Sequence, residues 1–139
     1  MRVKDFMTLL VDCFGSHPLV QSVIPDDAAY VWNNADIPYP SVALSLTSVT
    51  ESETETTFSV NIYAGERQRE DIDSSTLDNY DELHGILEEV LDMITENPDI
   101  PAVADTPRAY TFAKLKMMDM LAVVSLTTTF TVLADENCK

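Results

Sequence analysis

Over the first fourteen residues Val3, Phe6, Met7, Leu10, Cys13 and Phe14 recur at intervals of three and four, the spacing of one face of an amphipathic helix, and Gly15 with His17-Pro18 ends the run. The spacing predicts a helix over 2–14. From 16 to 41, Pro18, Pro25, Pro38 and Pro40 divide short apolar clusters, so an extended connection is expected, with at most a short strand around Tyr30-Val31-Trp32. Val42, Leu44 and Leu46 then alternate with small or polar residues. After the polar turn Glu51-Ser52-Glu53-Thr54-Glu55 the alternation resumes at Phe58, Val60, Ile62 and Ala64. Period two on both sides of a polar turn predicts an antiparallel hairpin with one buried face.

Between Gly65 and Asn79 only Ile72 and Leu77 are large and apolar, and residues 65–79 are expected to form a long loop or an extended arm. Leu83, Leu87, Val90, Leu91 and Ile94 share one helical face, which predicts a helix over 80–96 with Asp78 or Asn79 as N-cap and Asn97-Pro98 as its stop. A linker, 97–107, leads to a strand over 108–117, where Tyr110 and Phe112 alternate with Ala109, Thr111 and Ala113. The β-branched run over 121–133 predicts a long last strand whose edge could pair with a neighbour. The order is helix, hairpin, arm, helix, two strands. It fits one α+β domain over 1–139, an antiparallel sheet of about four strands with two helices packed on one face.

Charge changes this picture. The 139 residues hold 8 Lys+Arg against 24 Asp+Glu, a formal net charge of −16, which repels nucleic-acid backbones and anionic lipid alike. From Glu70 to Pro107 there is no Lys or Arg. The outer face of the second helix carries Asp81, Glu82, Glu88, Glu89, Asp92 and Glu96 with no cation at i±4 to offset them. Asp5 and Asp12 bracket the apolar run from Phe6 to Val11, and no segment approaches the roughly 18 apolar residues that span a bilayer. Neither export nor membrane insertion is expected, and Cys13 and Cys138 are expected as reduced thiols in a cytosol.

Chemistry is scarce. Gly15, Gly65 and Gly85 stand apart, so no glycine-rich phosphate loop exists. His84 has Asp81 at i−3 and Glu88 at i+4, a geometry that could hold a divalent metal, but an acidic helix supplies such neighbours to any solvated histidine. No catalytic residue, cofactor or metal is expected. Arg67 and Arg69, with Glu70 and Asp71, suit salt bridges to the acidic helix of a neighbouring copy, with a self-contained surface pair as the alternative, and Trp32 suits either a docking strip or the core.

The hairpin from Tyr39-Pro40-Ser41-Val42-Ala43-Leu44 to Val60-Asn61-Ile62-Tyr63-Ala64, the helix Tyr80-Asp81-Glu82-Leu83-His84-Gly85-Ile86-Leu87 and the ending Asp119-Met120-Leu121-Ala122-Val123-Val124 through Thr131-Val132 span about two thirds of the chain. In order and spacing they resemble the tail-terminator or tail-completion proteins of long-tailed bacteriophages. The resemblance implies a homo-oligomeric ring, commonly a hexamer, that meets tail-tube subunits on one side and neck proteins on the other while DNA passes through unbound. It implies a virion protein made in the cytoplasm of a bacterial host. Glu51, Glu53, Glu55, Glu88, Glu89 and Asp92 are then candidates for a lumen that repels phosphate, and the 65–79 arm would lie across a neighbour. The alternative is an acidic nucleic-acid mimic that inhibits a DNA-binding host protein, through a tight and salt-sensitive complex.

Overall fold

The computed structural model describes residues 1–26, 32, 37–68, 75–116 and 120–133. Among these residues two helices, α1 (Val3–Gly15) and α2 (Ser75–Glu96), accompany six strands: β1 (Ser22–Ile24), β2 (Ser41–Glu51), β3 (Glu55–Arg67), β4 (Val103–Ala104), β5 (Thr111–Lys116) and β6 (Met120–Leu133). The architecture is α+β, as the periodicities predict. The sheet differs from the expectation in two respects: it has six strands, and it is mixed, because β1 runs parallel to β2.

The backbone of the sheet is β6, paired antiparallel with β3 over its whole length, from Glu55 opposite Leu133 to Arg67 opposite Leu121. On the other side of β3 lies β2, and on the other side of β6 lie two short strands in series, β4 and β5. The last strand is therefore central, which corrects the expectation that its edge is free. A β-branched run that pairs on both sides buries its alternate residues, and Val124, Leu126, Thr128, Phe130 and Val132 are all buried.

Both helices cover the same face of the sheet. Phe6, Leu10 and Phe14 of α1 and Leu83, Leu87, Leu91 and Ile94 of α2 join Val42, Leu44, Phe58, Val60, Ile62 and Phe130 in one core. At its centre Phe6 stacks on Phe58 with ring centroids 4.0 Å apart, and Phe130 tilts against it at 5.4 Å. Large apolar side chains at helical spacing meeting apolar side chains at period two is the packing that drives such a domain together.

Three local differences from the sequence reading have plain causes. The second helix begins at Ser75, before either residue expected to cap it, and its first turn carries exposed Leu77 and Asp78, so no apolar periodicity marks it. Asn79 instead sends its amide to the Arg67 carbonyl at 3.3 Å and secures the end of β3. Of the expected 65–79 arm, 65–67 belong to β3 and 75–79 to α2, and 69–74 lie outside the described residues. The strands β1 and β4, three and two residues long, are too short to show a period.

Candidate functional site

The densest chemistry lies where α2 meets the segment entering β5. Phe112, Tyr110 and Arg108, at spacing two, meet Tyr80, His84, Glu88 and Asp92, at spacing four, with the two elements antiparallel. Two residues of strand rise about 6.6 Å and four of helix about 6 Å, so successive pairs stay in step. Phe112 packs edge-on to Tyr80, with centroids 5.2 Å apart, and Tyr110 edge-on to His84 at 4.5 Å. The Tyr110 hydroxyl donates to Glu88 Oε1. Arg108 donates to Glu88 Oε2 at 3.2 Å and to Asp92 Oδ1 at 2.8 Å, with its side chain only 10% exposed.

The electrostatics follow from these contacts. Burial raises the Tyr110 phenol well above its ordinary value, and the hydrogen bond to the Glu88 carboxylate raises it further. For Arg108 burial alone lowers proton affinity, but the hydrogen bond and charge of Asp92 with the charge of Glu88 reverse the sign. A second contact is made by His17, whose side chain is 8% exposed and whose Nε2 lies 2.5 Å from Oε2 of the exposed Glu89 while its Nδ1 accepts the Leu19 N–H at 3.2 Å. The proton therefore sits on Nε2 and is given to Glu89. Three of the candidate lumen carboxylates, Glu88, Glu89 and Asp92, are thus turned to groups of this same chain.

Glu51, Glu53 and Glu55 lie elsewhere, on the β2–β3 turn, all exposed. Ser52 shapes that turn: its N–H donates to the Glu55 carbonyl at 2.8 Å and its Oγ accepts the Thr54 and Glu55 N–H groups. Beside this tip the sheet face away from the helices carries, among the described residues, hydroxyl and amide side chains with the Asp105 carboxylate at one side. Cross-strand rows bring together Ser45, Asn61 and Thr127, then Ser48, Ser59 and Thr129, then Thr50, Thr57 and Thr131. Thr127 donates to Asn61 Oδ1 at 2.6 Å, and the Asp105 carboxylate accepts from Thr129 and Thr131 where β4 ends.

The other half of that face is closed by Trp32. This residue is completely buried, against Ala43, Leu121 and Val123, and its Nε1 donates to Ser41 Oγ at 3.0 Å. It is a core residue of this chain, which corrects the docking-strip assignment. Arg67 is exposed, with its guanidinium 5.3 Å from the centroid of the Tyr39 ring. Near it a cavity of about 450 Å³ is lined by Gln21, Pro40, Glu66, Arg67 and Glu82 among others. Burial raises the Glu66 carboxyl above the ordinary carboxylate range, the Arg67 N–H it accepts lowers it, and the Glu82 charge raises it. Arg69, Glu70 and Asp71 lie outside the described residues.

A scan of protein-family models finds no match to this chain, and a search of curated proteins finds none either. Function therefore rests on the geometry above. Among the described residues no three of His, Cys, Asp and Glu are grouped to hold a metal ion, and no helix is long and apolar enough to cross a membrane. The sequence reading missed Arg108, Tyr110 and His17. A signal existed for Arg108: it is the first cation after the whole cation-free stretch from Glu70, so the acidic helix is its natural partner.

Proposed function

We propose that this chain is a structural subunit of a phage virion, a tail-terminator or neck and tail ring protein. In this reading it assembles into a homo-oligomeric ring around the DNA channel and joins the tail tube to the neck. The observation that carries the reading is one half of the sheet face away from the helices, which among the described residues presents hydroxyl and amide side chains in cross-strand rows, no cation among them, and three exposed glutamates at the adjoining turn. A channel wall of this composition offers DNA no fixed positive charge, so the duplex slides without sticking. The order of elements resembling the tail-terminator family supports the same reading. Glu88, Glu89 and Asp92 are left out of the wall, since each is engaged within the chain, and Glu51, Glu53 and Glu55 remain in it.

The acidic-mimic alternative rests on the net charge of −16 and on the acidic α2 helix, of whose carboxylates Glu88, Glu89 and Asp92 are engaged within the chain while Asp81, Glu82 and Glu96 are exposed. The deciding experiment is native mass spectrometry followed by negative-stain imaging with purified tail tubes. A closed multiple of 15.5 kDa that caps tube ends is the expected result. A chain that stays monomeric and ignores tubes, but forms a salt-sensitive complex with a basic DNA-binding protein, would reverse the order of the two readings.

A further inference from the structure

His17 stands where three elements meet. Its N–H donates to the Phe14 carbonyl near the end of α1 at 3.2 Å, and its own carbonyl accepts the Val20 N–H at 3.2 Å. Residues 17–20 thus form a β-turn with Pro18 in second place, the position its fixed φ suits. Across the same turn the imidazole Nδ1 accepts the Leu19 N–H at 3.2 Å, as an asparagine oxygen does in an Asx turn. On the other side of the ring Nε2 donates to Glu89 of α2 at 2.5 Å. Just beyond the turn the Gln21 N–H donates to the Pro40 carbonyl at 2.8 Å and leads into β1, a strand of 3 residues.

This arrangement needs one ring nitrogen bare and the other protonated. Histidine is the side chain whose charge ordinarily changes between about pH 5 and 8, and in the charged ring both nitrogens are donors. The contact with Glu89 survives that change and gains a charge. The contact with Leu19 does not, because two N–H groups would then face each other. Among the described residues the Leu19 N–H has no other acceptor. With only 8% of its side chain exposed, the ring cannot turn Nδ1 away and still reach Glu89. We propose that His17 is a pH-sensitive latch: with its second proton it keeps Glu89 and releases Leu19, and the turn that leads into β1 loosens. The latch is a property of the single chain and goes beyond the ring reading, on which it does not depend.

The charged groups around the latch come from three elements. On α2, Asp92 and Glu96 line one cavity with Glu89, and on α1 Asp12 lines another with Ser16 and Val20. Glu82 of α2 and Glu66 and Arg67 of β3 line the cavity that Leu19 borders. Of these groups Glu89 alone bonds to the ring among the described residues, and none bonds to the Leu19 N–H. Glu89 is 69% exposed, so water and salt screen its attraction for a charged ring. Acid therefore tightens one contact modestly and abolishes the other.

The test is nuclear magnetic resonance of the ring nitrogens and of the Leu19 amide, followed from about pH 8 to about pH 5. At the alkaline end Nδ1 is expected bare and Nε2 protonated. As the ring charges, the Leu19 amide resonance should move with the same midpoint. Its protection from exchange, corrected for the intrinsic rate, should fall roughly threefold or more. His17→Asn puts an oxygen where Nδ1 stood, so the turn should persist and its pH response should vanish. A response that came instead through Glu66, across the Leu19 cavity, would remain in that variant. Glu89→Gln leaves an acceptor without charge, so Leu19 should still respond, with its midpoint at lower pH. A Leu19 amide indifferent to the charging of the ring, or one that responds equally in His17→Asn, overturns the latch. So does a neutral ring protonated at Nδ1, or a ring still uncharged at the acid end.

Discussion

Tyr110 and Arg108 approach Glu88 from the same side, the phenol donating to Oε1 and the guanidinium to Oε2. One carboxylate thus ties the α2 helix to the start of β5 through two donors, and the guanidinium reaches on to Asp92. Removing Glu88 leaves a largely buried cation and a phenol short of their acceptor. Glu88→Ala is expected to cost about 1–3 kcal/mol. Tyr110→Phe loses one neutral donor and should cost about 1 kcal/mol. Chemical denaturation of the single and double variants measures the coupling: the two losses should not add, since they share one acceptor.

Alkaline pH addresses the same contact from the other side. The folded pKa of Tyr110 is raised above its ordinary value of about 10, by burial first. A group with a raised folded pKa contributes stability that is complete below the unfolded pKa and is lost as pH rises through the folded one. Stability should therefore fall above about pH 10 in the wild type and fall less steeply in Tyr110→Phe. Ultraviolet titration of the folded chain should show one tyrosine ionising late, absent from the variant. Identical titrations in the two proteins would mean the phenol is free.

Glu66 carries the opposite consequence for neutral pH. Its carboxyl is raised, by burial ahead of the Glu82 charge, so the ionised form is disfavoured in the fold. The stabilising contribution of the protonated form is present below the ordinary glutamate range and is gone at pH 7. In dilute protein Glu66→Gln should then melt higher than wild type at pH 7, and the difference should shrink as pH falls towards about 4. Thermal melts across that range check it; a difference constant with pH would show that charge is not the cause.

Much of this fold was legible because its core elements obey a period. Phe6, Leu10 and Phe14 on one helix, Leu83, Leu87 and Leu91 on the other, and Phe58, Val60 and Ile62 on a strand announce their buried faces in the sequence. Strand order was not legible, since nothing in the residues from Met120 to Leu133 tells a central strand from an edge when both alternate. Ser22–Ile24 is too short to carry a pattern, yet it makes the sheet mixed. The other contacts were hidden for another reason: helical spacing finds His84 3.9 Å from Glu88, but Arg108, Tyr110 and His17 reach Glu88, Glu89 and Asp92 from 16 or more residues away.

Asp105 offers a test of how the short strands are held. Its N–H donates to the Thr129 carbonyl at 2.9 Å, and its carboxylate accepts from the Thr129 and Thr131 hydroxyls, at the point where β4 ends. Asp105→Ala removes the side-chain half of this clip and should cost about 1–2 kcal/mol. Faster amide exchange should be confined to Val103–Ala104 and their partners on β6. Asp105→Asn keeps one acceptor oxygen and should lose less.

Gly65 sits beneath the indole of Trp32, and a Cβ added there would lie 2.9 Å from its Cη2 and 3.1 Å from Cζ2 and Cζ3. The ring cannot swing aside freely, because its Nε1 is held by Ser41 and it is fully enclosed with Ala43, Leu121 and Val123. The glycine is needed for the close approach of an aromatic ring to the strand, with no demand on its backbone angles. Gly65→Ala should therefore cost about 1–3 kcal/mol by overpacking. Trp32 is the sole tryptophan, so its emission reports the outcome directly. The wild type should emit as a buried indole, and Gly65→Ala should shift to the red or unfold at lower denaturant. Trp32→Phe removes the nearest atoms, and adding Gly65→Ala to that background should cost less than it does alone. An equal cost in both backgrounds would place the strain elsewhere than between these two residues.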